Sequence, residues 1–122
     1  MKIVTAAELA TLSADTPAEP GQLLAHWIEG PHTADRLDVG VVTLSPGGLT
    51  PPHSHDGGQV MVVTAGRGFV ECAGQRHLIG PGDVVVCPPG EVHVHGALAD
   101  EPLSHLTVST RGYVFPDGLP AQ

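Results

Sequence analysis

Gly47-Gly48-Leu49-Thr50-Pro51-Pro52-His53-Ser54-His55-Asp56-Gly57-Gly58-Gln59 leads into the apolar run Val60-Met61-Val62-Val63-Thr64-Ala65-Gly66. His53 and His55 are one residue apart, so on extended backbone they point to one face and can reach a common point. Neutral imidazole is the commonest protein ligand for a divalent transition metal, which makes the pair a candidate half-site. Gln59 follows at the mouth of the run. If it faces inward, alternation puts Met61 and Val63 on its face, an apolar wall below a polar cluster.

Outward from this stretch the chain has a strand–turn rhythm. Residues 37–44 read as a strand turned by Ser45-Pro46-Gly47-Gly48, residues 59–64 as one closed by Ala65-Gly66, and 68–72 with 75–79 as a hairpin about Ala73-Gly74. Gly80-Pro81-Gly82-Asp83 precedes a strand at 84–87, Pro88-Pro89-Gly90 ends it, and strands at 92–95 and 103–110 follow. An earlier strand at 23–29 carries Trp27, which packs against the barrel or a second subunit. Thr5 and Glu8 stand in capping-box spacing ahead of Leu9 and Leu12, giving one or two helical turns. Arg67, between two glycines, reads as a turn residue, and the tail from Phe115 through Pro116, Asp117, Gly118 and Pro120 as loosely held. Short strands with Gly and Pro turns between them indicate an all-β sandwich or small barrel.

Composition supports one small domain over residues 1–122, with 16 Gly and 12 Pro but no glycine period or low-complexity tract. A net charge of −8 with five Lys and Arg argues against a nucleic-acid partner. The apolar runs are too short to span a membrane. Cys72 and Cys87 form no CxxC pair and are expected to be reduced core side chains. With no signal-like N-terminus, the cytoplasm is the expected compartment.

Five of the eight histidines, His53, His55, His93, His95 and His105, lie in or beside the later strands. His93 and His95 share a face by alternation, as do His105, Thr107 and Ser109. His26, His32 and His77 read as surface or interface residues. Parity brings Gly40 and Val42 to the pocket from the neighbouring strand.

These residues carry a family resemblance. The first stretch matches the first cupin motif, G-x5-H-x-H-x3-E-x6-G, at Gly47, His53, His55 and Gly66, with Gln59 at the glutamate position. The second motif, G-x5-P-x-G-x2-H-x3-N, matches at Gly82, Pro88, Gly90 and His93, with Ala97 at the asparagine position. The chain resembles a single-domain cupin. The resemblance implies a double-stranded β-helix, or jelly-roll barrel, over about residues 37–112. It also implies a divalent transition metal held by His53, His55, His93 and Gln59. With its Pro89-Gly90-Glu91-Val92-His93-Val94-His95-Gly96 and Ser104-His105-Leu106 runs, the chain is similar to small bacterial cupins of the manganese-dependent hydroxynitrile lyase type. Manganese is the expected ion, with iron, nickel or zinc as alternatives, and a C2 homodimer is expected on analogy.

Glutamate at the fourth position would cancel one charge of a divalent ion, whereas a Gln amide cancels none and leaves a harder Lewis acid. His95 and His105 suit an acid–base role beside it. The expected activity is lyase chemistry on a small oxygen-bearing organic molecule. An iron(II) dioxygenase acting on enolisable substrates and a non-catalytic sensing module are the alternatives. Metal affinity should fall as pH drops through the histidine range, near 6.5.

Overall fold

The computed structural model describes residues 1–118; Pro120 of the tail lies outside the described residues. Thr5 Oγ1 accepts from the Glu8 backbone N–H and donates to Glu8 Oε1, both at 3.1 Å, the reciprocal cap that the spacing announced. The helix it starts, α1 (Ala6–Ala14), runs two residues beyond Leu12. Eight strands follow: β1 (Leu23–Glu29), β2 (Asp38–Leu44), β3 (Gln59–Gly66), β4 (Gly68–Cys72), β5 (Gln75–Ile79), β6 (Val84–Cys87), β7 (Val94–Ala97) and β8 (Leu103–Ser109). They form a five-stranded sheet, β1-β2-β8-β3-β6, and a three-stranded sheet, β5-β4-β7, antiparallel throughout. This is the expected jelly-roll barrel. No helix among the described residues is long and apolar enough to cross a membrane.

Both sheets feed one core. Leu44, Met61, Val63 and Leu103 from the larger sheet meet Val70, Ile79 and Ala97 from the smaller. Ala97 therefore occupies the motif's asparagine position as a packing residue. Cys87 is buried as expected, but Cys72 is only half-buried, at the end of β4, and neither forms a disulfide. Gly66 has φ +76°, and a Cβ there would run into the Pro102 carbonyl, so the first motif closes on a position only glycine fits.

The register of the larger sheet sets the inner surface in rows. Val42–His105–Val63 is one, Gly40–Thr107–Met61 the next, and Asp38–Ser109–Gln59 the last. The barrel thus grades from an apolar end to a polar one. The smaller sheet departs from expectation: residues 92–95 were expected as its strand, yet β7 begins at Val94. His93 instead exchanges backbone hydrogen bonds with His53, at 3.1 and 2.9 Å, in a bridge joining the two motif stretches.

Candidate metal centre

That bridge brings two ligand candidates from 40 residues apart in the chain into contact, with ring centroids 4.4 Å apart. One ring nitrogen from each of His53, His55 and His93 lies within 4.8 Å of the others, and all three residues are buried. Each Nδ1 faces a backbone carbonyl: Pro51 at 2.9 Å for His53, Glu91 at 2.9 Å for His93, and Gly112 at 3.2 Å for His55. A carbonyl only accepts, so each Nδ1 carries the hydrogen and each Nε2 keeps a lone pair. His55 Nε2 is buried without a partner among the described residues.

Gln59 adds an oxygen. Its amide nitrogen donates to Thr107 Oγ1, which turns Oε1 to within 3.0 Å of His93 Nε2. With the His93 hydrogen committed to Glu91, both atoms offer lone pairs, whose repulsion a bound cation would relieve. Two lone-pair atoms this close fit neighbouring ligands of one cation. The four side chains suit a divalent ion of mixed nitrogen and oxygen preference.

Desolvation keeps the imidazoles neutral. Burial pushes His53 and His55 down to about 4, with the neighbouring rings adding to it, and lowers His93 as well. His95 and His105 form a second pair beside the first. His95 lies parallel to His93, centroids 4.9 Å apart, and its Nδ1 is 3.2 Å from His105 Nε2. Burial holds His105 at about 3 and His95 well below its ordinary value. His95 Nε2 and His105 Nδ1 have no partner among the described residues. Both rings face inward, as alternation along their strands required.

A cleft of about 540 Å³ opens over these groups. Leu23, Ala25 and Trp27 of β1, Val42 of β2, and Tyr113 and Phe115 line it. Gly40 lies under the Trp27 ring, where a Cβ would meet Cε3 at 3.2 Å, so Trp27 packs within its own barrel. Tyr113 packs on His55 at 4.6 Å and edge-on to Trp27 at 6.4 Å.

The expectation of a loose tail from Phe115 is corrected at its first residue, because Phe115 lines the cleft. Just before it, Val114 and Ser54 exchange backbone hydrogen bonds at 2.9 Å. Tyr113 and Phe115 were missed. The signal was their i, i+2 spacing in a chain with only four aromatic residues. The remaining histidines stay outside: His26 pairs with Asp15 at 2.7 Å, His32 with Glu29 at 3.1 Å, and His77 is exposed. Arg67 sits in the turn between β3 and β4, as read.

Residues 40–109 match the family model of the cupin domain. The (R)-mandelonitrile lyase of Granulicella tundricola is 44% identical over 71 residues, covering 57% of this chain and 54% of that protein. A gentisate 1,2-dioxygenase from Ralstonia is 29% identical over 92 residues, 75% of this chain but 25% of that protein. The chain thus spans about half or less of the curated relatives it matches. A cupin-like protein from Thermotoga maritima superposes with a TM-score of 0.72 at 35% identity, over 78% of this chain and 76% of that one. A polyketide cyclase from Streptomyces resistomycificus gives 0.69 at 27% identity, over 93% and 81%.

Proposed function

The chain belongs to the cupin domain family, and on that premise we propose that it is a metal-dependent enzyme with lyase-type acid–base chemistry on a small, uncharged organic molecule. The observation that carries the proposal is the union of two sets: three imidazoles with hydrogen-free Nε2 atoms, and beside them a buried histidine pair with free nitrogens in an apolar cleft. Similarity to a mandelonitrile lyase supports the lyase branch. His53, His55 and His93 would hold the metal through Nε2, and Gln59 through Oε1. Manganese is the ion we favour. A divalent ion held there supplies Lewis acidity toward an oxygen atom.

The protein's own groups do the rest. His95, which lines the cleft, would take a proton from a substrate hydroxyl at its buried Nε2 and pass the Nδ1 proton to His105 Nε2; the reverse transfer returns it. The wall of Trp27, Val42, Tyr113 and Phe115 seats the apolar part of the substrate and excludes water. No Lys or Arg is among the described residues that line the cleft, so the bound ion would be the positive charge that meets an oxygen of the substrate. We also propose a cytoplasmic homodimer. Support comes from the free cysteines and from Val60, Val84 and Val86, exposed on the outer face of the larger sheet.

The test is elemental analysis of protein purified without added metal, followed by aldehyde release from an aromatic cyanohydrin and oxygen uptake on enolisable substrates. Bound manganese, aldehyde release, and its loss in His95→Ala with metal content unchanged are expected. Oxygen uptake without aldehyde release would replace the lyase reading with the dioxygenase. If His95→Ala and His105→Ala leave ligand affinity and every turnover unchanged, the acid–base reading falls.

A further inference from the structure

Asp38 is a buried carboxylate that no cation among the described residues balances. It is 1% exposed at the start of β2. Oδ1 accepts the His32 backbone N–H at 2.7 Å, while Oδ2 is buried without a partner among the described residues. The cations are engaged elsewhere: Lys2 and Arg36 with Glu29, Arg76 with Glu71, Arg111 with Asp35. Arg67 lies in the turn between β3 and β4. A buried, unpaired carboxylate is costly unless a positive charge lies within reach.

The metal centre has the opposite imbalance. Three neutral imidazoles and an amide leave both charges of a divalent ion uncompensated, because Gln59 stands where a carboxylate would neutralise one of them. The sheet register links the two. Asp38 and Gln59 are both Cα partners of Ser109, one strand to either side, in the polar row of the barrel. Ser109 Oγ is also buried without a partner among the described residues.

We infer that Asp38 is the counter-charge of the metal centre, acting across the Asp38–Ser109–Gln59 row without ligating the ion. This rests on the metal-centre reading proposed above. It assigns the negative charge that the motif normally places on a ligand to a residue two strands away.

The test strips the full-length protein with chelator and titrates manganese back by calorimetry, alongside thermal melting of the metal-free form. Asp38→Asn keeps an acceptor for His32. It should melt no lower than wild type without metal, since an unpaired charge is removed, and bind manganese about 10-fold more weakly. Moving the charge inward, in Asp38→Asn/Ser109→Asp, should restore affinity. In a Gln59→Glu background, Asp38→Asn should lose much less, because a carboxylate already sits on the ion. Wild-type affinity in Asp38→Asn overturns the inference. So does a metal-free variant that melts lower or fails to fold, which assigns Asp38 to the Gly30–His32 turn alone. Wild-type protein that takes up no divalent ion overturns the metal-centre reading itself.

Discussion

Acidifying the metal-free protein should unfold it near pH 5, and the magnitude follows from the buried histidines. His53 and His55 titrate at about 4 and His105 at about 3 in the fold, against 6.5 ordinarily. A folded-state value below the unfolded one means the unfolded chain binds protons first. The stability at stake is therefore complete above pH 6.5 and is lost as pH falls toward 4. At pH 5 each such histidine favours the unfolded chain by about 2 kcal/mol, roughly 6 kcal/mol for the three, with His93 and His95 shifted in the same direction. A small domain has about 5–15 kcal/mol to lose.

The single tryptophan, Trp27, reports the transition by fluorescence at the edge of the cleft. Manganese at 100 times its dissociation constant adds about 2.7 kcal/mol and should move the midpoint to lower pH. His105→Gln should flatten the pH dependence by about one proton. A metal-free midpoint below pH 4, or a slope unchanged by His105→Gln, would refute the reasoning. Metal affinity should fall across the same interval, because acid unfolding removes the ligand set before the folded imidazoles are themselves protonated, near 4.

The other predictions concern the ligands and their supports. His53→Ala, His55→Ala and His93→Ala should each cost more metal affinity than Gln59→Ala, measured by elemental analysis after dialysis against a weak chelator. Thr107→Val removes the hydroxyl that turns the Gln59 amide and should weaken manganese binding about 10-fold in calorimetry while the barrel still folds. Gly66→Ala drives a Cβ into the Pro102 carbonyl at positive φ and should cost at least about 3 kcal/mol in urea unfolding, enough to lower soluble yield.

What the sequence disclosed divides along physical lines. Inner-surface residues on regular strands were legible, because a period of two assigns Gln59, Met61 and Val63 to one face of β3 and His105, Thr107 and Ser109 to one face of β8. The capping box located α1 for the same reason: the chemistry is local. Residues recruited through irregular backbone were not legible. Tyr113 follows Arg111 and Gly112, at φ +64° and +69°, where no period carries a face assignment forward. Asp38 was hidden differently. An acidic residue opening a strand reads as solvated, and only the fold shows it enclosed by the turn at Gly30–His32.

The same distinction bears on how the centre is held. None of His53, His55 and His93 belongs to a regular strand; each is fixed by a specific backbone bond instead. The His53–His93 bridge sets the two rings side by side, and Gly58 and Gly90 both donate to the His55 carbonyl at 3.0 Å. The carbonyls of Pro51, Glu91 and Gly112 then fix the rings' tautomers and orientations. Because those carbonyls belong to turns, ligand geometry depends on turn conformation more than on sheet packing. A core substitution such as Leu103→Ala should therefore cost about 2–5 kcal/mol of stability while leaving metal affinity unchanged in whatever protein remains folded. A parallel loss of affinity would show that the barrel, and not the turns, positions the ligands.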